Sequence, residues 1–313
     1  MIIGGSLAGA ACVRELERLG IDAVAFDRDR FPRDKVCGGF LSPGAVACLE
    51  QLGLLSSVRA AGGVEVRSAR VRVDETEVEI PFDRPGFGIS RSALDRICAA
   101  GARVELGRSV TKVTRTDRGF LVDGVECSVV IDAAGKLSRF TPRRVVDEFG
   151  IQYTQAGARG DVLDFWFSED GYGGAVSVEG GRSNFCFLIK KDRLPRYLGR
   201  PDCLVTGPLA YDRIPSEYIA IGDAAGMVDP FCGEGMRHAL DSGMLAAHAV
   251  AHGLRSGVSY ERMKSAYDGE WRRRWNTKRL VGSAVRRMLQ HRRFFRKALG
   301  MTPARIWSRL WRS

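Results

Sequence analysis

Glycines, small residues and one acid at fixed intervals are the first chemistry this chain offers. Ile3-Gly4-Gly5-Ser6-Leu7-Ala8-Gly9 is followed by Asp27, 23 residues after Gly4. Between two strands, such glycines permit a tight turn and let a helix N-terminus approach a pyrophosphate. The free N–H groups and the helix dipole then hold the anion, and the acid after the second strand takes ribose hydroxyls. Ser6 occupies the middle glycine position of the GxGxxG pattern, where a small residue can stand.

A second segment lies far along the chain. It reads Tyr218-Ile219-Ala220-Ile221-Gly222-Asp223-Ala224-Ala225-Gly226, then Asp229-Pro230-Phe231-Cys232-Gly233-Glu234-Gly235-Met236. An acid at the tip of a strand, followed by small residues, suits sugar-like hydroxyls. The turn at Gly233 and Gly235 opens a helix whose N–H groups suit a ring carrying negative charge, as a reduced flavin does. One dinucleotide would be held at both ends.

The elements that must position these residues follow from periodicity. Met1 to Ile3 reads as a strand, a helix runs to about Leu19, and Gly20 stops it. Ala23 to Phe26 is a second apolar strand ending in Asp27. This βαβ start implies a parallel sheet. A helix is expected from Pro43 to Leu52 and another from Arg91 to Ala100. Strands are expected at Val64 to Val73, Val78 to Phe82, Val104 to Val113 and Phe120 to Asp132. From Gly157 to Lys190, short strands with glycine turns mark an antiparallel sheet. Tyr218 to Ile221 is an apolar strand, and a helix follows from about Gly235 to Gly253. The fold class is α/β, a doubly wound, Rossmann-like dinucleotide-binding domain interrupted by a smaller antiparallel β-sheet substrate domain, with a helical C-terminus. The ranges are 1–62, 86–140 and 205–270 for the first domain, 63–85 and 141–204 for the second, and 271–313 for the C-terminal region.

Taken together, these motifs resemble the flavoprotein group of p-hydroxybenzoate hydroxylase-type monooxygenases, flavin halogenases and geranylgeranyl reductases. Phe31-Pro32-Arg33-Asp34-Lys35-Val36-Cys37-Gly38-Gly39 is similar to the segment that geranylgeranyl reductase-like members place beside the flavin. Arg91-Ser92-Ala93-Leu94-Asp95 fits the RxxLD helix start of the group, and Gly222-Asp223 fits its second FAD motif. The resemblance implies FAD as cofactor, with Gly4 to Gly9 on the pyrophosphate and Asp27 on the adenosine ribose. It implies Arg33 or Lys35 on phosphate, Arg91 near the FAD, Asp223 on the ribityl chain and Gly233 to Met236 facing the isoalloxazine. The candidate cofactor set is therefore Gly4, Gly5, Ser6, Leu7, Ala8, Gly9, Asp27, Arg28, Arg33, Lys35, Cys37, Gly38, Arg91, Gly222, Asp223, Gly233, Gly235 and Met236.

The chain also departs from the group. In Asp132-Ala133-Ala134-Gly135-Lys136-Leu137-Ser138, Ala134 stands where many monooxygenases have an acid linked to NADPH use. Tyr172-Gly173-Gly174-Ala175-Val176-Ser177-Val178 occupies the place of the YxWxFP stretch of geranylgeranyl reductases, without its Trp and Phe-Pro. The halogenase motif WxWxIP is not present, and the stretch from Lys190 to Tyr218 is short for a substrate lid.

The expected activity is redox chemistry on a hydrophobic small molecule (an isoprenoid, lipid or polyketide), of the geranylgeranyl reductase-like kind. The alternatives are an FAD-dependent aromatic or polyketide monooxygenase and an FAD-binding protein that has lost catalysis. Only one dinucleotide fold is evident, so NAD(P)H would dock transiently as donor, or a reductase partner would reduce the flavin. Cys37 and Cys232 are the candidate catalytic residues, as thiol proton donors near the flavin; small packing residues are the alternative. His238 and His248 read as structural.

Bulk properties narrow the classes. The 313 residues hold eight cysteines with no CxxC pair, which speaks against zinc or a disulfide scaffold and for a reducing cytoplasm. No apolar run nears the roughly 20 residues of a membrane span, and no secretion signal is visible. Only three residues precede Gly4, which points to a start upstream of Met1. Net charge is +11, but residues 271–313 hold 14 Lys/Arg and no Asp/Glu, so residues 1–270 sit at −3. Without a basic body, nucleic acid is not an expected partner. The tail sets apolar positions 280, 281, 284, 285, 288 and 289 among Arg286, Arg287, Arg292, Arg293, Arg296 and Lys297, with Trp271, Trp275, Trp307 and Trp311. Two readings stay open: adsorption to an anionic membrane surface, or packing on the FAD domain with arginines outward.

Overall fold

The computed structural model describes residues 1–142, 144–168, 171–200, 202–212, 215–289, 292–303 and 307–308. The chain starts with β1 (Ile2–Ile3), α1 (Leu7–Arg18), β2 (Ala25–Asp27) and β3 (Phe40–Leu41), then α2 (Pro43–Gln51) and α3 (Leu55–Ala60). Two long strands, β4 (Val64–Val73) and β5 (Thr76–Gly88), precede α4 (Arg91–Ala99). Short strands follow: β6 (Val104–Leu106), β7 (Val113–Thr116), β8 (Gly119–Val122), β9 (Val125–Cys127) and β10 (Ile131–Asp132). Next come β11 (Glu148–Ala156), β12 (Val162–Ser168), β13 (Gly171–Val178), β14 (Arg182–Lys190) and β15 (Leu204–Thr206). The chain then forms β16 (Ile219–Ala220), α5 (Gly235–Arg255), α6 (Tyr260–Leu289) and α7 (Arg292–Met301).

Two sheets dominate. A parallel sheet runs in the order β16-β10-β1-β2-β6, and an eight-stranded sheet in the order β15-β11-β14-β13-β12-β4-β5-β3. The second is antiparallel except where β12 runs parallel to β4. It has eight strands to the five of the parallel sheet. The parallel pair arises because β4 and β12 come from distant chain segments, so no hairpin dictates their direction. Strands β7, β8 and β9 form a small sheet of their own.

Local chemistry explains most boundaries. Ser42 caps α2 by accepting the Ala45 N–H at 3.3 Å, with Pro43 at the first helical position. Ser90 likewise accepts the Ala93 N–H at 3.1 Å and starts α4. Expected strands that proved too long fail for visible reasons. The run from Phe120 to Asp132 is broken at Asp123 and Gly124, both at positive φ, where the chain turns from β8 into β9. The run from Val104 stops at Leu106 before Gly107, also at positive φ. Helix α3 was not anticipated, because six residues carry too little periodicity to register.

Helices α1 and α5 pack with little between them. Ala8, Ala11 and Cys12 line the contact, and a Cβ at Gly243 of α5 would overlap the Ala8 carbonyl oxygen. The C-terminal helices close the far side. Tyr267, Trp271 and Trp275 of α6 and Phe295 of α7 are fully buried. Trp271 Nε1 donates to His238 Nε2 at 3.0 Å, and Trp275 Nε1 donates to Asp241 Oδ2 at 2.7 Å. These two tryptophans belong to the core, which favours packing on the domain over membrane insertion for this part of the tail. The tail pattern at Met288, Leu289, Arg292, Arg293 and Trp311 lies outside the described side chains. Among the described residues, no helix is long and apolar enough to cross a membrane.

Candidate active site

The first glycine turn is built by exclusion. Gly4 has φ +104°, and a Cβ there would run into the Ala133 carbonyl oxygen. A Cβ at Gly9 would overlap the Gly4 carbonyl oxygen, so α1 can start directly against the strand it leaves only with glycine there. Gly5 donates its N–H to Asp27 Oδ2 at 2.8 Å, and the Asp29 N–H is donated to Asp27 Oδ1 at 2.9 Å. Asp27 thus pins the turn to the end of β2. Helix α1 has no side-chain cap and no acid in its first turn, which leaves its N–H groups and dipole facing outward.

The second turn meets the first. Gly222 has φ +57°, and a Cβ there would lie 2.9 Å from Ala8 Cβ. Its N–H is donated to Ser242 Oγ of α5 at 2.8 Å. Helix α5, like α1, lacks a side-chain cap and first-turn acid. The two glycine segments, over 200 residues apart in sequence, touch through Ala8 and Gly222.

Charge gathers around this contact. Asp95 is wholly buried and accepts from Arg91 Nη2 at 2.8 and 3.1 Å and from Nε at 3.2 Å. Arg91 Nη2 also donates to Ser6 Oγ at 2.8 Å. Arg33 sits 3.3 Å from Asp29 and 4.0 Å from Asp95. Burial, and then the neighbouring Arg91, pull the Lys35 pKa down, against the pull of Asp223 and Asp95. Lys136 is lowered to about 8, mainly by burial, with Asp223 opposing and Lys35 adding to the shift. Lys136 Nζ donates to Thr206 Oγ1. Two cations depressed in this way surround a space short of negative charge. A diphosphate would supply it, so the residues present fit a dinucleotide.

One continuous cleft connects these features. One end is lined by Gly4, Asp27, Arg28, Arg33, Lys35 and Lys136. Its other end is about 1380 Å³ including the open mouth, and Ser6, Lys35, Val36, Ala133, Gly135 and Thr206 border both ends. Leu7, Ala8, Cys37, Gly38, Arg91, Gly222, Asp223, Gly233, Gly235 and Met236 line this second end. Its remaining wall is apolar and comes from the eight-stranded sheet and its flanks: Leu163, Phe165, Phe187, Leu188, Leu209 and Met227. The Cys37 loop is tied to that sheet. Its Cys37 N–H is donated to Gln152 Oε1 at 2.8 Å, and Asn184 Nδ2 donates to the Cys37 carbonyl at 2.9 Å.

Comparison with known proteins decides the cofactor. Residues 1–122 match the FAD binding domain family. The menaquinone reductase of Mycolicibacterium smegmatis is 29% identical over 81% of this chain and 76% of its own. Digeranylgeranylglycerophospholipid reductase 2 of Methanothermobacter thermautotrophicus is 25% identical over 94% of this chain and 86% of its own. The solved structure of a flavin-dependent brominase superposes with a TM-score of 0.82 at 20% identity, covering 99% of this chain and 92% of that one. This chain is an FAD-dependent oxidoreductase. Its fold is shared by flavin-dependent halogenases and monooxygenases and by geranylgeranyl reductase-like proteins.

In this flavoenzyme most of the residues singled out from sequence border the cleft. Gly5 and Gly9 do not; they face Val104 and the Gly4 carbonyl and shape the turn from behind. Cys37 borders the cleft, while the side chain of Cys232 lies outside the described residues. His238 is buried on Trp271, and His248 Nε2 lies 2.7 Å from Glu15 of α1, in keeping with structural roles. Sequence reasoning missed Asp95 as the anchor of Arg91, Lys136 as a cleft cation, and the apolar wall. The wall had a signal: Leu163 and Phe165 alternate with Asp164 and Trp166, as cleft-facing and outward positions of a strand must. Among the described residues no His, Cys, Asp and Glu cluster could hold a metal ion.

Proposed function

We propose that this enzyme reduces a carbon–carbon double bond in a polyprenyl lipid, in the manner of a geranylgeranyl reductase. The observation that carries this reading is the apolar wall of Leu163, Phe165, Phe187, Leu188, Leu209 and Met227 facing the Gly233–Met236 turn. Such a wall binds an extended hydrocarbon by exclusion from water and offers few polar groups to select anything else. Menaquinone and digeranylgeranylglycerophospholipids, named in the two reductase relatives, both carry polyprenyl chains. FAD, once reduced, would supply the hydride.

The protein's own residues would divide the remaining work. The α1 N-terminus with Arg33, Lys35 and Lys136 would neutralise the diphosphate. Arg91, held by Asp95, would fix the cofactor beside the Cys37–Gly39 loop. The apolar wall would exclude water and align the alkene. A nicotinamide donor docking from solvent, or a reductase partner, would provide the electrons. The basic face of the C-terminal helices would bring the enzyme to lipid surfaces where such chains reside.

The test is an anaerobic single-turnover reaction of dithionite-reduced enzyme with menaquinone and with geranylgeranyl-bearing lipids, read by mass spectrometry. Gain of one H2 per saturated alkene is expected. Oxygen-dependent gain of one oxygen atom on an aromatic probe instead would replace this reading with monooxygenation.

A further inference from the structure

Saturating an alkene takes a hydride at one carbon and a proton at the other, and the cleft wall offers few groups that can give a proton. Tyr172, near the start of β13, is one of them: it is half-buried and borders the cleft beside Pro230. Its hydroxyl donates to Asp229 Oδ1 at 3.2 Å. Asp229 is buried, and the same oxygen accepts the Phe231 N–H at 3.1 Å. Behind it stand Arg286 of α6, Glu148 of β11 and Tyr211. Arg286 Nε of α6 lies 3.5 Å from Asp229 Oδ2, and its Nη1 donates to Glu148 Oε2 of β11 at 2.9 Å. Tyr211 donates to that Glu148 oxygen at 2.8 Å, and its ring lies 4.3 Å beneath the Arg286 guanidinium. A chain of hydrogen-bonding groups therefore leads from the cleft to the interface with the C-terminal helices.

We infer that Tyr172 and Asp229 form a proton-supply couple for the reduction, with Tyr172 as the donor at the substrate and Asp229 as its source. The inference rests on the proposed alkene reduction. The Tyr172 O–H bond breaks as a C–H bond forms at the carbon that does not take the hydride. The Asp229 carboxyl then returns a proton to the phenolate oxygen and is left as carboxylate, balanced by Arg286, until solvent reprotonates it. The surroundings of Asp229 suit that role. Burial pushes its carboxyl up to about 6, while the Phe231 N–H, Arg286 and Tyr172 oppose the rise and Glu148 adds to it. A fraction of the carboxyl thus stays protonated near neutrality.

Two conservative variants test the couple. Tyr172→Phe keeps the ring that packs on Phe167 and Phe231, and Asp229→Asn keeps the shape of the carboxyl. With menaquinone as probe and enzyme already reduced, Tyr172→Phe should slow single-turnover saturation by about 100-fold or more. The wild-type rate should fall as pH rises through about 6, and Asp229→Asn should flatten that profile.

A second readout needs no turnover. Because the folded-state pKa of Asp229 lies above its unfolded value, its contribution to stability is present at low pH and is lost as pH rises through about 6. Urea unfolding of the cofactor-free protein should show this step. Asp229→Asn should abolish it, and Tyr172→Phe should move it to higher pH, because the carboxylate loses a hydrogen bond. Equal rates and profiles in wild type and both variants would overturn the couple. If wild type leaves every polyprenyl probe unchanged, the reduction reading falls by itself. The coupling is then decided by the unfolding step, and a step that Tyr172→Phe leaves in place overturns it.

Discussion

Asp95 holds Arg91 by both carboxylate oxygens without itself reaching the cleft, and the same guanidinium reaches Ser6 at the head of α1. The helix that begins at Arg91 is thereby tied to the glycine turn between the first strand and helix. Removing the acid alone would leave a guanidinium almost wholly buried without its counter-charge. Asp95→Ala should therefore destabilise the cofactor-free protein by about 3–5 kcal/mol, read by urea unfolding, and weaken FAD binding in a fluorescence titration.

Crowding, rather than backbone conformation, sets the cost at Gly9. A methyl group there meets the Gly4 carbonyl, part of a turn that cannot retreat. Gly9→Ala should cost about 1–3 kcal/mol of overpacking and leave little FAD bound after purification. Gly20 supplies the control. It has φ +74° but nothing within 4 Å of an added Cβ. Gly20→Ala should lose only the left-handed strain, about 1–2 kcal/mol, and keep its flavin.

Lys136 should give opposite pH trends for stability and cofactor affinity. Its folded-state pKa is lowered to about 8 from 10.5, so the fold disfavours the charged form. That penalty on stability is present at low pH and disappears as pH rises from about 8 toward 10.5. FAD affinity should do the reverse and fall above pH 8, as the cation that meets the phosphates is lost. Isothermal titration between pH 7 and 10, beside urea unfolding, would show both trends, and Lys136→Met should remove both.

Trp271 tests the assignment of the C-terminal helices. It is fully buried and bonded to His238, so Trp271→Ala should cost about 3–5 kcal/mol. Sedimentation with anionic vesicles should be no weaker for the variant than for wild type, provided it is measured below its unfolding temperature. Loss of vesicle binding with unchanged stability would contradict the packing of Trp271 in the core.

Much of the order of elements was legible because several boundaries carry local chemistry: Ser42 and Ser90 cap their helices, and Gly20 ends α1. The two glycine turns were legible for a related reason. Gly4, Gly9 and Gly222 are demanded by the backbone, and a side chain at any of them would collide with a named neighbour. What stayed hidden depends on partners distant in sequence. The Arg91–Asp95 pair was visible as a motif, but its tie to Ser6 was not. Lys136 looked like one charge among many until burial and Lys35 were seen beside it. The tail was ambiguous because a tryptophan-rich basic helix has the same pattern on a core as on a membrane, and only His238 and Asp241 distinguish them. The parallel alignment of β12 with β4 had no local signal at all.

The parallel sheet has one more consequence, for synthesis. Its central strand β1 is made first, yet β10 and β16 complete the sheet on one side only after residues 131–132 and 219–220 have been made. At roughly 5–20 residues per second, on the order of 10–40 s pass between the two glycine turns leaving the peptidyl transferase centre. Until Gly222 and α5 arrive, Ala8 and Ala11 lack the glycines they pack against. Until then the nascent chain has no finished cleft between the two glycine turns.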